Sequence, residues 1–489
     1  MTFQGFAFDN TFARELEGFF APSEAAGFKA PTLIKLNRPL AEELGLDPDA
    51  LAEAGPALFS GNTPPAGATP LSQAYAGHQF GGFSPRLGDG RALLLGEIID
   101  AQGRRRDVQL KGSGPTPFSR GGDGKAALGP VLREYLIGEA MHALGVPTTR
   151  ALAAVTTGEP VFRESALPGA VLTRVAASHI RVGTFEFFAS RHDHGPIRKL
   201  ADYTIRRHYP ESAKAENPYL ELLLAVGRAQ TSLVARWMQI GFIHGVMNTD
   251  NVTVSGETID YGPCAFMDAF DPATVFSSID RRGRYAYGNQ PSIVMWNLAR
   301  FAETLLPLLA EQPKAAIALA EEALGIFSEN YEQSSLDGMR RKIGLGRAEG
   351  GDAKLIGEFL KMMEEAKVDF TSTFRRLAKV LQGATADDAL QLNPDDLAAW
   401  MPRWRARLDR EGEPRDAIAA AMDRVNPIYI PRNHRTEEAL AAAVERDDMG
   451  PFDALLEVIT RPYEERESLS SYASPAPPEF GPYKTFCGT

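Results

Sequence analysis

The sequence predicts an α+β chain of two lobes with an extension at each end, and three observations carry that expectation. β-type runs crowd residues 86–190. Helical periodicity takes over after Ser190. One long amphipathic helical run leads directly into a polar loop ending at Asn251. Strands gathered early and helices late segregate into sheet and helix layers, which is the α+β arrangement.

Residues 1–85 mix short helical patterns, Leu40 to Leu44 among them, with Pro/Gly-rich loop signals from Gly61 to Pro70. They read as an extension packed on a core. Between Arg91 and Lys111 the runs ALLLGEII and RDVQLKGSG read as two strands, with DAQG at Asp100 to Gly103 as their hairpin turn. A glycine-rich loop, SRGGDGKAALGP, leads to Pro130, which opens a helix. Its apolar residues Val131, Leu132, Tyr135, Leu136, Met141 and Leu144 fall near helical spacing, and Gly145 to Pro147 ends it. Short strands in ALAAVTTGEPVF and GAVLTRVA complete a first lobe over 86–190. The second lobe, 191–300, contains the helical run ELLLAVGRAQTSLVARWMQIGF. Helices dominate 301–473, and 474–489 is a Pro-rich irregular tail carrying Cys487.

The bulk composition narrows the function. The chain has 489 residues, 44% hydrophobic and 24% charged, as in an ordinary globular protein. Its net charge of −11 argues against general nucleic-acid binding, which needs a basic surface. No apolar run approaches the ~20 residues that span a membrane. The N-terminus has neither the basic nor the apolar region of a secretory signal. The two cysteines, Cys264 and Cys487, exclude a disulfide-rich scaffold and a Cys-based zinc site. A cytoplasmic monomer is expected.

The stretch Gly241 to Gly262, GFIHGVMNTDNVTVSGETIDYG, is the most informative. It resembles the catalytic and metal-binding segment of a protein kinase, where an Asp stands five residues before a metal-binding Asn and a D-F-G Asp follows. Asn251 and Asp260, in Asp-Tyr-Gly, fill the metal positions, but Val246 stands where the base should be. Valine accepts no proton. Lys111 at a strand end and Glu134 on the next helix match the kinase Lys–Glu pair, with Glu139 a rival. Gly88 to Arg91 and Gly121 to Lys125 are either two turns or loops whose N–H groups approach a nucleotide. Arg174 and Arg181 are either surface arginines or a fork for phosphate oxygens. His244 takes a bracing position. Asp250 is the acid in the loop able to replace the missing base, or a solvent-exposed turn residue.

Longer strings add a specific resemblance: SQAYAGHQFGGFSPRLGDGR, VQLKGSGPTPFSRGGDGKAALGPVLREYL, HGVMNTDN, IDYGPCAF, NPIYIPRNH and PYKTFCGT. On these the chain resembles the selenoprotein O family, pseudokinases that transfer AMP from ATP to protein hydroxyls with the nucleotide reversed. The resemblance implies a two-lobed protein-kinase-like fold. It implies that Lys111, Arg174 and Arg181 contact phosphates and that Gly88, Gly90, Arg91, Asp123 and Gly124 line the nucleotide site, which Asp260 also touches. It further implies Asn251 and Asp260 as ligands of Mg2+ or Mn2+, Glu134 as partner of Lys111, and Asp250 as proton acceptor. Acceptors would be Ser, Thr or Tyr of proteins, with UMP from UTP an alternative donor group. The rival readings are a kinase-like phosphotransferase, which Val246 disfavours, and a non-catalytic nucleotide-binding scaffold. Cys264 and Cys487 are either a redox-sensitive pair or a buried thiol and a free tail thiol.

Overall fold

The computed structural model describes residues 5–486 and gathers the β-type runs into one eight-stranded sheet. Its members are β1 (Phe20–Pro22), β2 (Thr32–Leu36), β3 (Leu71–Gln73), β6 (Ala92–Ile99), β7 (Arg105–Lys111), β8 (Ala126–Ala127), β9 (Arg150–Phe162) and β10 (Ala166–Ala176). The order is β1-β3-β6-β7-β10-β9-β2, with β8 paired to β10. A separate hairpin joins β4 (Gly77–Gln79) and β5 (Gly82–Ser84).

The expected β6–β7 hairpin forms in register from Ile99 opposite Arg105 to Ala92 opposite Lys111. Strands β9 and β10 run longer than the short strands expected. Register shifts between Pro168 and Ala170 and between Thr173 and Arg174 absorb residues that would otherwise stop the ladder. The first 85 residues do more than pack on the core. They supply β1, β2 and β3, and β1 and β2 are the two edges of the sheet. Runs this short carry too little alternation to be read as strands. The helix Pro48–Phe59 buries Leu51, Leu58 and Phe59 in one cluster with Leu93, Val108, Leu110 and Val155 of the sheet.

The helix Leu128–Ala143 buries Leu132, Tyr135 and Leu136. These join a cluster with Leu440 and Ala443 of the helix Asn433–Arg446 and Phe452 and Leu455 of the helix Gly450–Ile459. The C-terminal region therefore clamps the helix that carries Glu134. In the second lobe the helices Pro218–Gln239, Gln290–Leu309 and Pro313–Lys342 pack together through residues such as Val234, Leu298 and Phe327. Strands β11 (Phe242–Ile243) and β12 (Ala265–Phe266) pair antiparallel. That pairing draws the loop after Ile243 and the Asp-Tyr-Gly loop before Ala265 side by side. Among the described residues, no helix is long and apolar enough to cross a membrane.

Candidate active site

A cavity of about 640 Å³ opens between the lobes. It is lined by Gly88, Gly90, Arg91, Lys111, Asp123, Gly124, Arg174, Arg181, Asp250, Asn251 and Asp260. Glu134 lies behind Lys111 and lines an adjacent cavity.

At its floor three cations converge on one carboxylate. Lys111 Nζ donates to Asp260 Oδ1 at 2.8 Å and to Glu134 Oε2 at 2.6 Å. Arg174 Nη1 reaches Asp260 Oδ1 at 2.7 Å and Glu134 Oε1 at 3.2 Å. Arg181 Nη1 donates to Asp260 Oδ2 at 2.7 Å and to the Asp250 carbonyl at 2.6 Å. Burial alone would raise the Asp260 carboxyl. Lys111, Arg181 and Arg174 outweigh it and hold the group well below the usual carboxylate range. The two arginines are not surface residues: each is 2% exposed. Asp260 itself sits at φ 63°, a left-handed backbone that non-glycine residues rarely adopt and that clusters at functional sites. Glu139 belongs elsewhere, accepting from Arg150 at 2.8 and 2.7 Å and from the Ala151 N–H.

The first glycine segment has its backbone donors bonded internally. The N–H groups of Gly88, Asp89 and Gly90 donate to Tyr75, Gln73 and Gly88 carbonyls at 3.1, 2.9 and 2.8 Å. They are spent within the protein. Gly88 has φ 70°, and a Cβ there would stand 2.3 Å from Phe118 Cγ. Asp89 points inward, 1% exposed, accepting from the Gln73 N–H and Gln109 Nε2. Asp123 pairs with Arg163 at 2.8 Å on the rim.

The polar loop is buried rather than solvent-exposed. His244 Nε2 donates to the Ile259 carbonyl at 2.9 Å and its ring stacks on Trp237, a brace between the two loops. Asn251 Nδ2 donates to the Val246 carbonyl at 2.9 Å. Asp250 is 8% exposed. Its Oδ2 accepts from Gln79 Nε2 at 3.3 Å, its Oδ1 has no partner among the described residues, and burial pushes its carboxyl up to about 6. A carboxyl held there is poised to take a proton near neutral pH. Asn251 and Asp260 offer one amide and one carboxylate in the same cavity. That oxygen donor set suits a Mg2+-type ion completed by substrate phosphates, not a cage made of protein alone.

Sequence reasoning missed Tyr75, whose ring carries the Arg181 guanidinium at 4.6 Å, and Gln79, Phe118, Phe162 and Asn248, which also line the cavity. Gln79 and its hairpin were visible only as a glycine-rich string. Cys264 is buried, and burial pushes its thiol up to about 11. Cys487 lies outside the described residues. Thr485 Oγ1 donates to the carbonyl of Pro263, next to Cys264, at 2.7 Å.

The sheet lobe and the helical lobe, with Lys111, Glu134, Asn251 and Asp260 brought to the cleft between them, give an α+β kinase-like fold. A family model described as "Protein adenylyltransferase SelO" matches residues 2–460. Proteins called "Protein nucleotidyltransferase YdiU" match along the whole length. The one from Cereibacter sphaeroides (strain ATCC 17023) is 62% identical over 486 residues, 99% of this chain and 100% of the relative. That from Rhizobium meliloti (strain 1021) is 60% identical over 487 residues, 99% of each chain. That from Rhizobium etli (strain CIAT 652) is 58% identical over 487 residues, 99% of this chain and 97% of the relative. The chain belongs to the SelO family of protein adenylyltransferases.

Proposed function

We propose that this protein transfers AMP from ATP to Ser, Thr or Tyr hydroxyls of other proteins in the cytoplasm, releasing pyrophosphate. One observation carries the reading. The cations able to hold a polyphosphate, Lys111, Arg174 and Arg181, lie at the cavity floor, whereas the turn where a kinase phosphate loop would stand has its N–H groups already bonded. In this reading the polyphosphate is held by these cations and the α-phosphate faces the acceptor hydroxyl beside Asp250, whose carbonyl Arg181 also holds.

The acceptor oxygen then attacks the α-phosphorus, the bond from that phosphorus to the α–β bridging oxygen breaks, and pyrophosphate leaves. Lys111, Arg174 and Arg181 stabilise the charge growing on the leaving group. Glu134 keeps Lys111 aimed. Asp250 accepts the hydroxyl proton, and Gln79 holds its carboxylate. Asn251 and Asp260 would hold Mg2+ or Mn2+, which supplies further neutralisation of phosphate charge. UTP satisfies the same phosphate contacts, so UMP transfer is the second form of this reaction. Incubation with ATP labelled at the α- or the γ-phosphate tests the proposal. The α label should appear on protein. Transfer of the γ label alone would return the chain to the phosphotransferases, and retention of neither label, with ATP bound, to the scaffolds.

A further inference from the structure

Resting on that transferase reading, we propose that the acceptor protein docks on an aromatic and arginine platform beside Asp250. The segment it receives is acidic and carries one large apolar side chain near the accepting hydroxyl.

The platform is built on the β4–β5 hairpin, which lies over the polar loop. The His78 N–H donates to Thr249 Oγ1 at 2.7 Å, the Phe80 N–H to Asn248 Oδ1 at 3.0 Å, and Gln79 reaches Asp250 itself. Tyr285 Oη donates to the same Asn248 oxygen at 2.6 Å, and its ring centroid lies 5.1 Å from that of Phe80. The His78 ring lies 4.9 Å from Phe83 and 5.3 Å from Trp296, and the Arg284 guanidinium lies 4.8 Å from the Trp296 ring. This surface is fixed in place, yet Phe80 and Phe83 remain 38% and 42% exposed. Two exposed phenylalanines on the hairpin that holds a candidate proton acceptor are an interaction surface rather than scattered apolar residues. Phe80, at φ 51°, and Gly81, at φ 85°, form the two-residue turn that closes the hairpin, which sets the Phe80 ring at its tip.

Charge supplies the occupant's chemistry. Arg281 and Arg282 are exposed, in the loop that leads to Arg284 and Tyr285. Among the described residues no carboxylate lies within 4.0 Å of the Arg281, Arg282 or Arg284 guanidinium. Arg284 Nε is buried without a hydrogen-bond partner. Asp280 precedes these arginines, but its carboxylate is turned to the Arg284 and Tyr285 N–H groups at 3.0 and 2.7 Å, so the guanidinium groups leave this loop net positive in a chain of net charge −11. Arginines without counterions next to exposed aromatic rings complement Asp or Glu flanking an apolar residue.

Two acceptor peptides, each with one serine and one phenylalanine, the first flanked by Glu and the second by Lys, test the proposal with α-labelled ATP. Wild type should favour the Glu peptide by about tenfold in kcat/KM, the product of two exposed ion pairs of ordinary size, and the preference should shrink as salt rises. The double variant R281E/R282E changes exposed side chains only. It should invert the preference with the KM for ATP unchanged, and Phe83→Ser should raise the KM for both peptides. A Glu preference that survives the charge reversal, or an effect confined to the KM for ATP, overturns the platform. Equal labelling of both peptides, or self-labelling with neither peptide labelled, also overturns it while the transferase reading stands. No α label anywhere removes both.

Discussion

Replacing Gly77 with alanine should disable the cleft without unfolding the protein. A Cβ built on Gly77 would stand 2.5 Å from Asp250 Oδ1, 2.9 Å from its Cβ and 3.0 Å from its Cγ. Ordinary contact begins near 3.4 Å, so the Asp250 side chain must retreat by about 0.9 Å, and a misplacement of ~1 Å costs on the order of 10²-fold in rate. Gly77 does not use a positive φ, so alanine adopts its backbone freely. The strain falls on Asp250, whose Cβ as well as its carboxylate must move, carrying the Thr249–Asn251 turn with it. Gly82→Ala on the same hairpin is the control, because its Cβ would meet only the Gln79 carbonyl, at 3.5 Å. Steady-state transfer of the α label, measured with nucleotide affinity and Tm on the same preparations, reads the effect. Gly77→Ala should lose about two orders of magnitude in kcat, as for other ~1 Å displacements of reacting groups, with Tm and nucleotide Kd close to wild type. A kcat equal to that of Gly82→Ala would refute the assignment of Asp250.

Asp260→Ala leaves Lys111, Arg174 and Arg181 without their shared counterion, so activity and Mn2+ binding should vanish and stability fall by about 3 kcal/mol in denaturant titrations. Retained Mn2+ affinity would displace the metal from this site. Lys342 is 3% exposed, with its ammonium 4.2 Å from the Phe374 ring, and burial lowers its pKa to about 7. The unfolded chain therefore binds more protons between pH 7 and 10.5, and this residue makes stability rise with pH across that window. Lys342→Met should flatten the slope and add about 2 kcal/mol at pH 7, discounted for the lost cation–π contact. An unchanged slope would count against the buried amine. With Cys264 buried and its thiol pushed up to about 11, mild oxidation near neutral pH should yield no Cys264–Cys487 crosslinked peptide, as the reading of a buried thiol and a free tail thiol requires. Recovery of that peptide on non-reducing mapping, with activity reduced, would establish the redox pair instead.

The sheet hairpin and the residues that meet in the cleft were legible because their signals are local. Alternating runs around Asp100–Gly103 specify β6 and β7, and the Asn251 and Asp260 spacing survives without a base at Val246. The Lys111–Glu134 contact follows from a strand end and the next helix. What sequence could not show depends on distant packing. Arg174 and Arg181 read equally well as surface residues until the fold buries them against Asp260. Strands as short as Phe20–Pro22 have no period to detect. The hairpin of Gln79 gains meaning only when it lies on Asp250.

The edge strands also impose a timetable on synthesis. Strand β2 emerges early, but its partner on β9, where Leu33 meets Val155, is made more than a hundred residues later. At ordinary elongation rates the nascent segment waits roughly 6 to 25 s without its ladder. Until then its unpaired N–H and C=O groups are open to foreign chains, and closure needs a long-range contact of the slow kind. A ribosome-bound chain stalled before Arg150 therefore holds a sheet that cannot yet be sealed. The segment made before Arg150 depends on the stretch from Arg150 to Ala176, strands β9 and β10, to stay out of aggregates.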